Sequence, residues 1–368
     1  MLIINATQIH KKHSGVGVYT TKVIEKLLEK QPGGIIYTQW NIFGKTFDNW
    51  KIIEVKNIRR GFIRWLWLQF IFPFKLKDND LLYCPFSEAP TTKKVRLILT
   101  VHDLMPINFP KNHSIKLIYY YKYFVRKNLL RASKIISISE TTKQDILHWF
   151  PELNANDIKV IYNGYDERLF NTQIDESEVV KFKARLGVEK YILYVGRLST
   201  IKNVLELVKT FYSISDRLDC SLLIVGRDES NIIKDSYKFI ESNKYSKDKI
   251  KFINHLDERD LSLCYKGSKI FINPSLNEGF GMPVIEAMAC GIPVIVSDIP
   301  VFKEIAGDSC LIFDTKLKDD LAYKILTLYN DKLLQEKLIK SGLERVKLFS
   351  WNKTAESVNE IINELRSE

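Results

Sequence analysis

Short, almost unbroken apolar runs alternate along this chain with longer stretches whose apolar positions recur at helical spacing. Leu2-Ile-Ile-Asn-Ala6, Val95-Arg-Leu-Ile-Leu-Thr-Val101 and Tyr191-Ile-Leu-Tyr-Val195 lack the strict polar alternation of a half-exposed sheet. They read as strands buried on both faces, which is how parallel strands between helix layers look. Val18, Thr21, Val23, Ile24, Leu27 and Leu28 instead mark one face of a helix. The pattern predicts strands near 2–6, 35–40, 51–55, 80–84, 95–101, 134–139 and 158–162. A second series follows near 191–195, 221–225, 250–253, 269–272, 293–296 and 310–313. Helices between successive strands imply right-handed crossovers and two parallel sheets. The expected fold class is therefore α/β, with two facing Rossmann-like domains and a cleft between them. A polar, acidic stretch from Phe170 to Ser177 sets the expected boundary, giving domains 1–172 and 173–350. Ligands of open parallel sheets sit beyond the carboxyl ends of the strands, and the candidate chemistry of this chain lies at such ends.

The richest stretch runs from Asn273 to Asp298. After the apolar Ile270-Phe-Ile272, Gly279 and Gly281 allow a tight turn, and Pro283 suits the first turn of a helix. A helix start presents unpaired N–H groups and a partial positive charge, which suits phosphate or sugar oxygens. Glu278 and Glu286 flank it; ionised carboxylates only accept hydrogen bonds, so they fit hydroxyl groups rather than phosphate. Glu278-Gly-Phe280-Gly281, with Glu286 after seven intervening residues and the run Ala287 to Ile295, resembles glycosyltransferase family 4, the retaining GT-B enzymes.

Other segments match that family in order. Tyr194-Val-Gly196-Arg197 leads to Lys202-Asn203 at the end of a strand. The resemblance implies that Arg197 and Lys202 hold the donor diphosphate, a task for which a guanidinium fork and an ammonium are suited. It implies that Glu278 holds sugar hydroxyls and Glu286 the ribose. It also places Gly196, Asn203, Gly226, His255, Leu256, Gly279, Phe280 and Gly281 against the donor, mostly through the main chain. His102-Asp103, at the end of the 95–101 strand, is expected at the transferred sugar and the acceptor. Ser14-Gly15-Val-Gly17 is expected as a glycine loop over the donor phosphate, although Val18 stands where the family often has Arg. By resemblance alone, a final helix from about Trp351 returns to the first domain, which takes the acceptor.

Composition sharpens this picture in three ways. The net charge of +11 is carried by residues 1–172, which hold 26 Lys+Arg against 14 Asp+Glu, while residues 173–368 hold 29 against 30. With no recognised nucleic-acid motif, the partners implied are an anionic membrane surface and an anionic substrate such as a lipid-diphosphate-linked sugar. Arg59 to Lys77 is aromatic-rich with basic flanks and too interrupted by Arg64, Gln69 and Pro73 to span a bilayer. It reads either as an interfacial segment or as a helix packed on the first sheet, and Tyr119 to Phe124 is a second candidate of the same kind. Cys84, Cys220, Cys264, Cys290 and Cys310 have no paired spacing and fit reduced thiols, and the start lacks a basic n-region. A cytoplasmic protein, peripheral at the inner face of the membrane, is expected.

No metal or other cofactor is expected. Asp78-Asn-Asp80 has the spacing of a metal motif but precedes a strand in the acceptor half, where it reads as a turn. The function expected is hexosyl transfer with retention, first guess mannose from GDP-mannose, onto a saccharide on a polyprenyl diphosphate or other lipid, in O-antigen, capsule or lipopolysaccharide synthesis. Two alternatives stand beside it: a nucleotide-sugar epimerase of the same fold and a catalytically silent scaffold.

Overall fold

The structure is a computed structural model that describes residues 1–9, 15–40, 43, 49–58 and 61–367. The chain forms two compact units: Met1–Gly164 with Ser350–Glu368, and Tyr165–Phe349. The first holds all of the net charge, with 27 Lys+Arg against 16 Asp+Glu, and the second is balanced at 28 each.

Thirteen strands are present among the described residues, all in parallel sheets. In the first unit they are β1 (Leu2–Ala6), β2 (Gly34–Thr38), β3 (Trp50–Glu54), β4 (Leu81–Cys84), β5 (Arg96–Val101), β6 (Lys134–Ser137) and β7 (Ile158–Val160). Their order across the sheet is β3-β2-β1-β4-β5-β6-β7. The second unit has β8 (Tyr191–Val195), β9 (Ser221–Val225), β10 (Ile250–Ile253), β11 (Ile270–Asn273), β12 (Val294–Ser297) and β13 (Leu311–Phe313), ordered β10-β9-β8-β11-β12-β13. The strand order reverses between β1 and β4 in one sheet and between β8 and β11 in the other. Those reversals are where an open parallel sheet leaves a crevice for a ligand.

The central strands are buried along their length except for half-buried Val195 at the carboxyl end of β8, as a helix layer on each face requires. In the first unit the helix Gly15–Lys30 buries Tyr19, Val23, Ile24 and Leu27, and lies against the C-terminal helix Trp351–Ser367. Gln31 Nε2 donates to Asn359 and Asn363 at 2.7 Å each, and Thr354 Oγ1 donates to the Tyr162 carbonyl at 2.7 Å. Gly164 passes so close to Trp351 that a Cβ there would lie 2.1 Å from its backbone nitrogen.

The chain changes unit at Gly164–Tyr165, upstream of the 172/173 boundary read from the sequence. The reason is packing: Phe170 meets Tyr265 edge-on at 5.7 Å, and Lys266 Nζ donates to the Thr172 carbonyl at 3.3 Å, both within the second unit. Polar composition marked the exposed part of this segment but not where its one large ring is anchored.

The segment Gly61–Lys75 is helical, passing through a π-helical turn at Trp67–Ile71, and Pro73 accompanies its end. Arg64, Trp67, Leu68 and Phe72 are buried, while Phe62, Phe70 and Phe74 are exposed, so one side of the helix packs within the first unit as the packed-helix reading expects and the other side is left open. Arg59 and Arg60 lie outside the described residues. Asp80 is buried in a turn: its carboxylate accepts from the Lys77 N–H at 2.8 Å and lies 3.2 Å from the Met1 amine. All five cysteines are buried and unpaired.

Candidate functional site

The second unit gathers most of the candidate residues at the carboxyl ends of β8, β9, β10 and β11. Gly196 follows β8 and Gly226 follows β9, and a Cβ built on Gly226 would lie 1.7 Å from the Gly196 carbonyl oxygen. Two loops therefore meet backbone to backbone, which only glycine permits. Beyond Gly196, Leu198 donates to the Arg227 carbonyl at 2.8 Å and accepts from the Glu229 N–H at 2.9 Å. Asn203 adopts a left-handed conformation (φ 55°), tolerable for Asn, between the turn Thr200–Lys202 and the helix Val204–Ser213. His255 is exposed and Leu256 half-buried in the loop after β10.

Lys202 and Glu278 meet. The Nζ lies 2.7 Å from Glu278 Oε1, with the side chains 9% and 15% exposed, and 3.4 Å from the Asn277 carbonyl. Ser275 Oγ donates to the same Oε1 at 3.0 Å, and its hydroxyl also lies 2.7 Å from Asn273 Oδ1 at the end of β11. Taking an ammonium and a carboxylate out of water is costly unless they pair and are otherwise hydrogen-bonded, and this pair is.

Gly281 caps the helix Met282–Ala289 in a left-handed conformation (φ 90°), with Pro283 in its first turn. Phe280 turns inward against Phe349 (ring centroids 5.6 Å), so its side chain belongs to the core and only its main chain is left for a ligand. Glu286, on that helix, accepts from the Tyr265 hydroxyl at 2.9 Å. Burial, against the opposing effect of that hydrogen bond and with a smaller push from Glu258, raises its carboxyl to about 7. Arg197 is solvent-facing, 63% exposed, and pairs with Glu229 at 3.3 Å; it does not share a partner with Lys202.

In the first unit, His102 directly follows the carboxyl end of β5. Its Nε2 lies 2.8 Å from the Pro85 carbonyl, and its ring meets Tyr19 edge-on at 4.8 Å. A carbonyl can only accept, so in the neutral ring Nε2 carries the proton and Nδ1 is the acceptor. Burial holds the imidazole below its usual 6.5, which keeps it neutral at pH 7. Asp103 Oδ1 accepts from the Met105 N–H at 3.0 Å and so shapes the turn that follows. Gly15 and Gly17 open the helix Gly15–Lys30 rather than forming a loop before it; Ser14 lies outside the described residues.

These features coincide with matches to known families. A model described as Glycosyl transferases group 1 matches residues 176–345, and one described as Glycosyltransferase Family 4 matches residues 50–169. The chain belongs to the family 4-like glycosyltransferases. This glycosyltransferase is 26% identical to the O-antigen chain mannosyltransferase RfbU of Salmonella typhimurium over 327 residues, covering 84% of this chain and 86% of that protein. It is also 26% identical to the O-antigen chain mannosyltransferase B of Escherichia coli, covering 72% and 69%. Among solved structures, it shares a TM-score of 0.77 with HepE of Anabaena in complex with UDP and glucose, at 17% identity and covering 99% and 100% of the two chains. WaaG, a glycosyltransferase involved in lipopolysaccharide biosynthesis, gives 0.75 at 14% identity, covering 98% and 99%. The fold is GT-B.

Several residues that shape the site gave no sign in the sequence. Tyr265 sits on the preceding helix, Glu258–Lys266, and Ser275 looks like any loop serine until Glu278 turns back onto it. Glu229 is one of several exposed charges in its stretch. An acceptor-only carboxylate at a buried helix start does imply some donor beside it, but not which one.

Proposed function

We propose that this glycosyltransferase moves a hexose, with mannose from GDP-mannose as the leading candidate, from a nucleotide sugar to a lipid-linked saccharide with retention of anomeric configuration. The observation that carries the reading is the second unit's strand-order reversal, where Lys202, Glu278 and the start of the helix bearing Glu286 come together. Cations and helix N–H groups suit the diphosphate, and carboxylates suit the sugar and ribose hydroxyls. Mannose is favoured by the names of the two O-antigen relatives.

In the proposed reaction the acceptor hydroxyl oxygen bonds to the sugar C1 while the C1–O bond to the diphosphate breaks. The nucleoside diphosphate leaves with the electron pair, and its oxygen takes the acceptor's proton. Arg197, Lys202 and the main chain at Gly279 to Gly281 stabilise the charge that develops on the leaving group. Glu278 orients the sugar, Glu286 the ribose, and His102 accepts from a sugar hydroxyl through Nδ1. Asp103, held in its turn, supports His102 and the acceptor.

Titration calorimetry with a panel of GDP-, UDP- and dTDP-sugars tests the donor. Selective binding of GDP-mannose, weakened in Glu286→Gln and Arg197→Ala, is expected. Binding of a different nucleotide sugar in its place refutes the choice of donor. Interconversion of the sugar without acceptor makes the chain an epimerase, and no binding by a folded protein makes it a scaffold.

A further inference from the structure

Two helical segments of the first unit bury one side and leave the other bare. Phe62, Phe70 and Phe74 stand out from Gly61–Lys75, Phe62 at 70% and Phe74 at 87% exposed. Ile115 (71%), Tyr119 and Tyr123 stand out from 115–125, where Val125 is buried. Trp65 joins the two rows, edge-on to Phe124 at 5.4 Å and in ring contact with Phe62 and Phe70 at 6.0 and 6.2 Å. Scattered exposed rings are ordinary on a protein surface, but a joined patch of this kind marks an interaction surface.

Within the two segments the charge has one sign, and the neighbouring carboxylates Glu88 and Glu152 are each paired with an arginine, Arg64 at 3.0 Å and Arg126 at 2.6 Å. Residues 61–77 and 104–139 contain no Asp or Glu, whereas Lys75, Lys77, Lys116, Lys122 and Lys127 are exposed. No helix among the described residues is long and apolar enough to cross a membrane.

We infer that this face docks on an anionic lipid bilayer, with the aromatic rings at the headgroup level and the lysines against lipid phosphates. Rings with basic neighbours are what an interface of that composition retains, and with no carboxylate in either segment and Glu88 and Glu152 each paired with an arginine, little repulsion opposes anionic headgroups. A second copy of this chain is a poorer occupant. A two-fold contact sets the same patch against itself, which here brings lysines to lysines with no carboxylate within either segment to relieve them. The inference rests on the proposed lipid-linked acceptor only for its purpose, since docking brings the acceptor-binding unit to its substrate.

Flotation of the full chain with vesicles tests it, comparing phosphatidylcholine alone with phosphatidylcholine–phosphatidylglycerol mixtures at low and high salt. The native chain is expected to float with the mixed vesicles and to be released by salt. Phe62→Ser/Phe74→Ser and Lys75→Glu/Lys116→Glu, all at exposed positions, are each expected to reduce the bound fraction by at least about tenfold. Absence of native binding, or equal binding by both double variants, overturns the inference. So does a dimer, seen by light scattering, that dissociates in the phenylalanine variant without any vesicle binding. Nucleotide-sugar binding measured on the same preparations separates the two claims: donor binding without flotation refutes the docking alone, and flotation without donor binding refutes the catalytic reading alone.

Discussion

Glu286→Gln isolates the cost of keeping a carboxylate at the buried end of the site. Its folded-state carboxyl is raised from an ordinary 4.5 to about 7 by burial. Each tenfold change in proton affinity corresponds to about 1.4 kcal/mol, so the displacement costs the folded state on the order of 3 kcal/mol once the group is ionised. The sign follows from proton uptake. Between 4.5 and about 7 the folded chain holds a proton that the unfolded chain has released. Stability therefore falls as pH rises through that window and is level above it. Glutamine keeps an oxygen for the Tyr265 hydroxyl and carries no charge. In guanidinium unfolding followed through the second unit, the variant is expected to match the native chain near pH 4.5. At pH 8 it should exceed the native chain by about 1–3 kcal/mol, or roughly 2–4 °C in Tm per kcal/mol. The same change should weaken nucleotide binding by about 10- to 100-fold, because hydrogen bonds to a charged acceptor contribute roughly 1.5–3 kcal/mol. A variant less stable than native at pH 8, or one with the native dependence on pH, would refute the reasoning.

Three further outcomes follow from the geometry. Lys202→Met strands Glu278 in a nearly closed site and is expected to lower stability by about 3 kcal/mol, a loss largely restored by adding Glu278→Gln; equal stability of the single variant and native in urea would contradict the pairing. Arg197→Ala, at an exposed position, should leave the urea midpoint within about 0.5 kcal/mol of native yet weaken nucleoside diphosphate binding about tenfold; a large loss of stability would contradict its solvent-facing placement. His102→Gln should flatten the pH dependence of the first unit's stability below 6.5. The native ring resists protonation when folded, so stability present above 6.5 is lost as pH falls, and thermal unfolding across that range reads the difference.

The strands were legible because each is a compact apolar run that must lie between helix layers, and the site motifs were legible because they follow such runs. Glu278 and Glu286 could be placed on either side of a helix start from spacing alone. Their partners could not. Tyr265 and Glu286 are brought together by the packing of separate elements, as are Lys202 and Glu278, and local pattern carries no information about such contacts. The inward turn of Phe280 was hidden for the same reason: a Phe between two glycines fits a ligand-facing loop equally well until Phe349 is placed against it. The helix at Gly15 begins earlier than its apolar stripe, because glycines at its first turn leave no side-chain signal. For the segment 59–77, aromatic-rich composition with basic flanks left two readings open, and only folding shows that Trp67 and Phe72 are taken into the core while Phe62, Phe70 and Phe74 remain outside.

The central claim is transfer of a hexose from a nucleotide sugar with retention. The most direct measurement incubates the native enzyme with GDP-α-mannose and a lipid-linked saccharide acceptor, then reads the new anomeric centre by the one-bond C1–H1 coupling in NMR. An α-linked mannosyl product released together with GDP is the predicted result. A β-linked product, or a mannosyl unit altered in the absence of acceptor, would contradict the account.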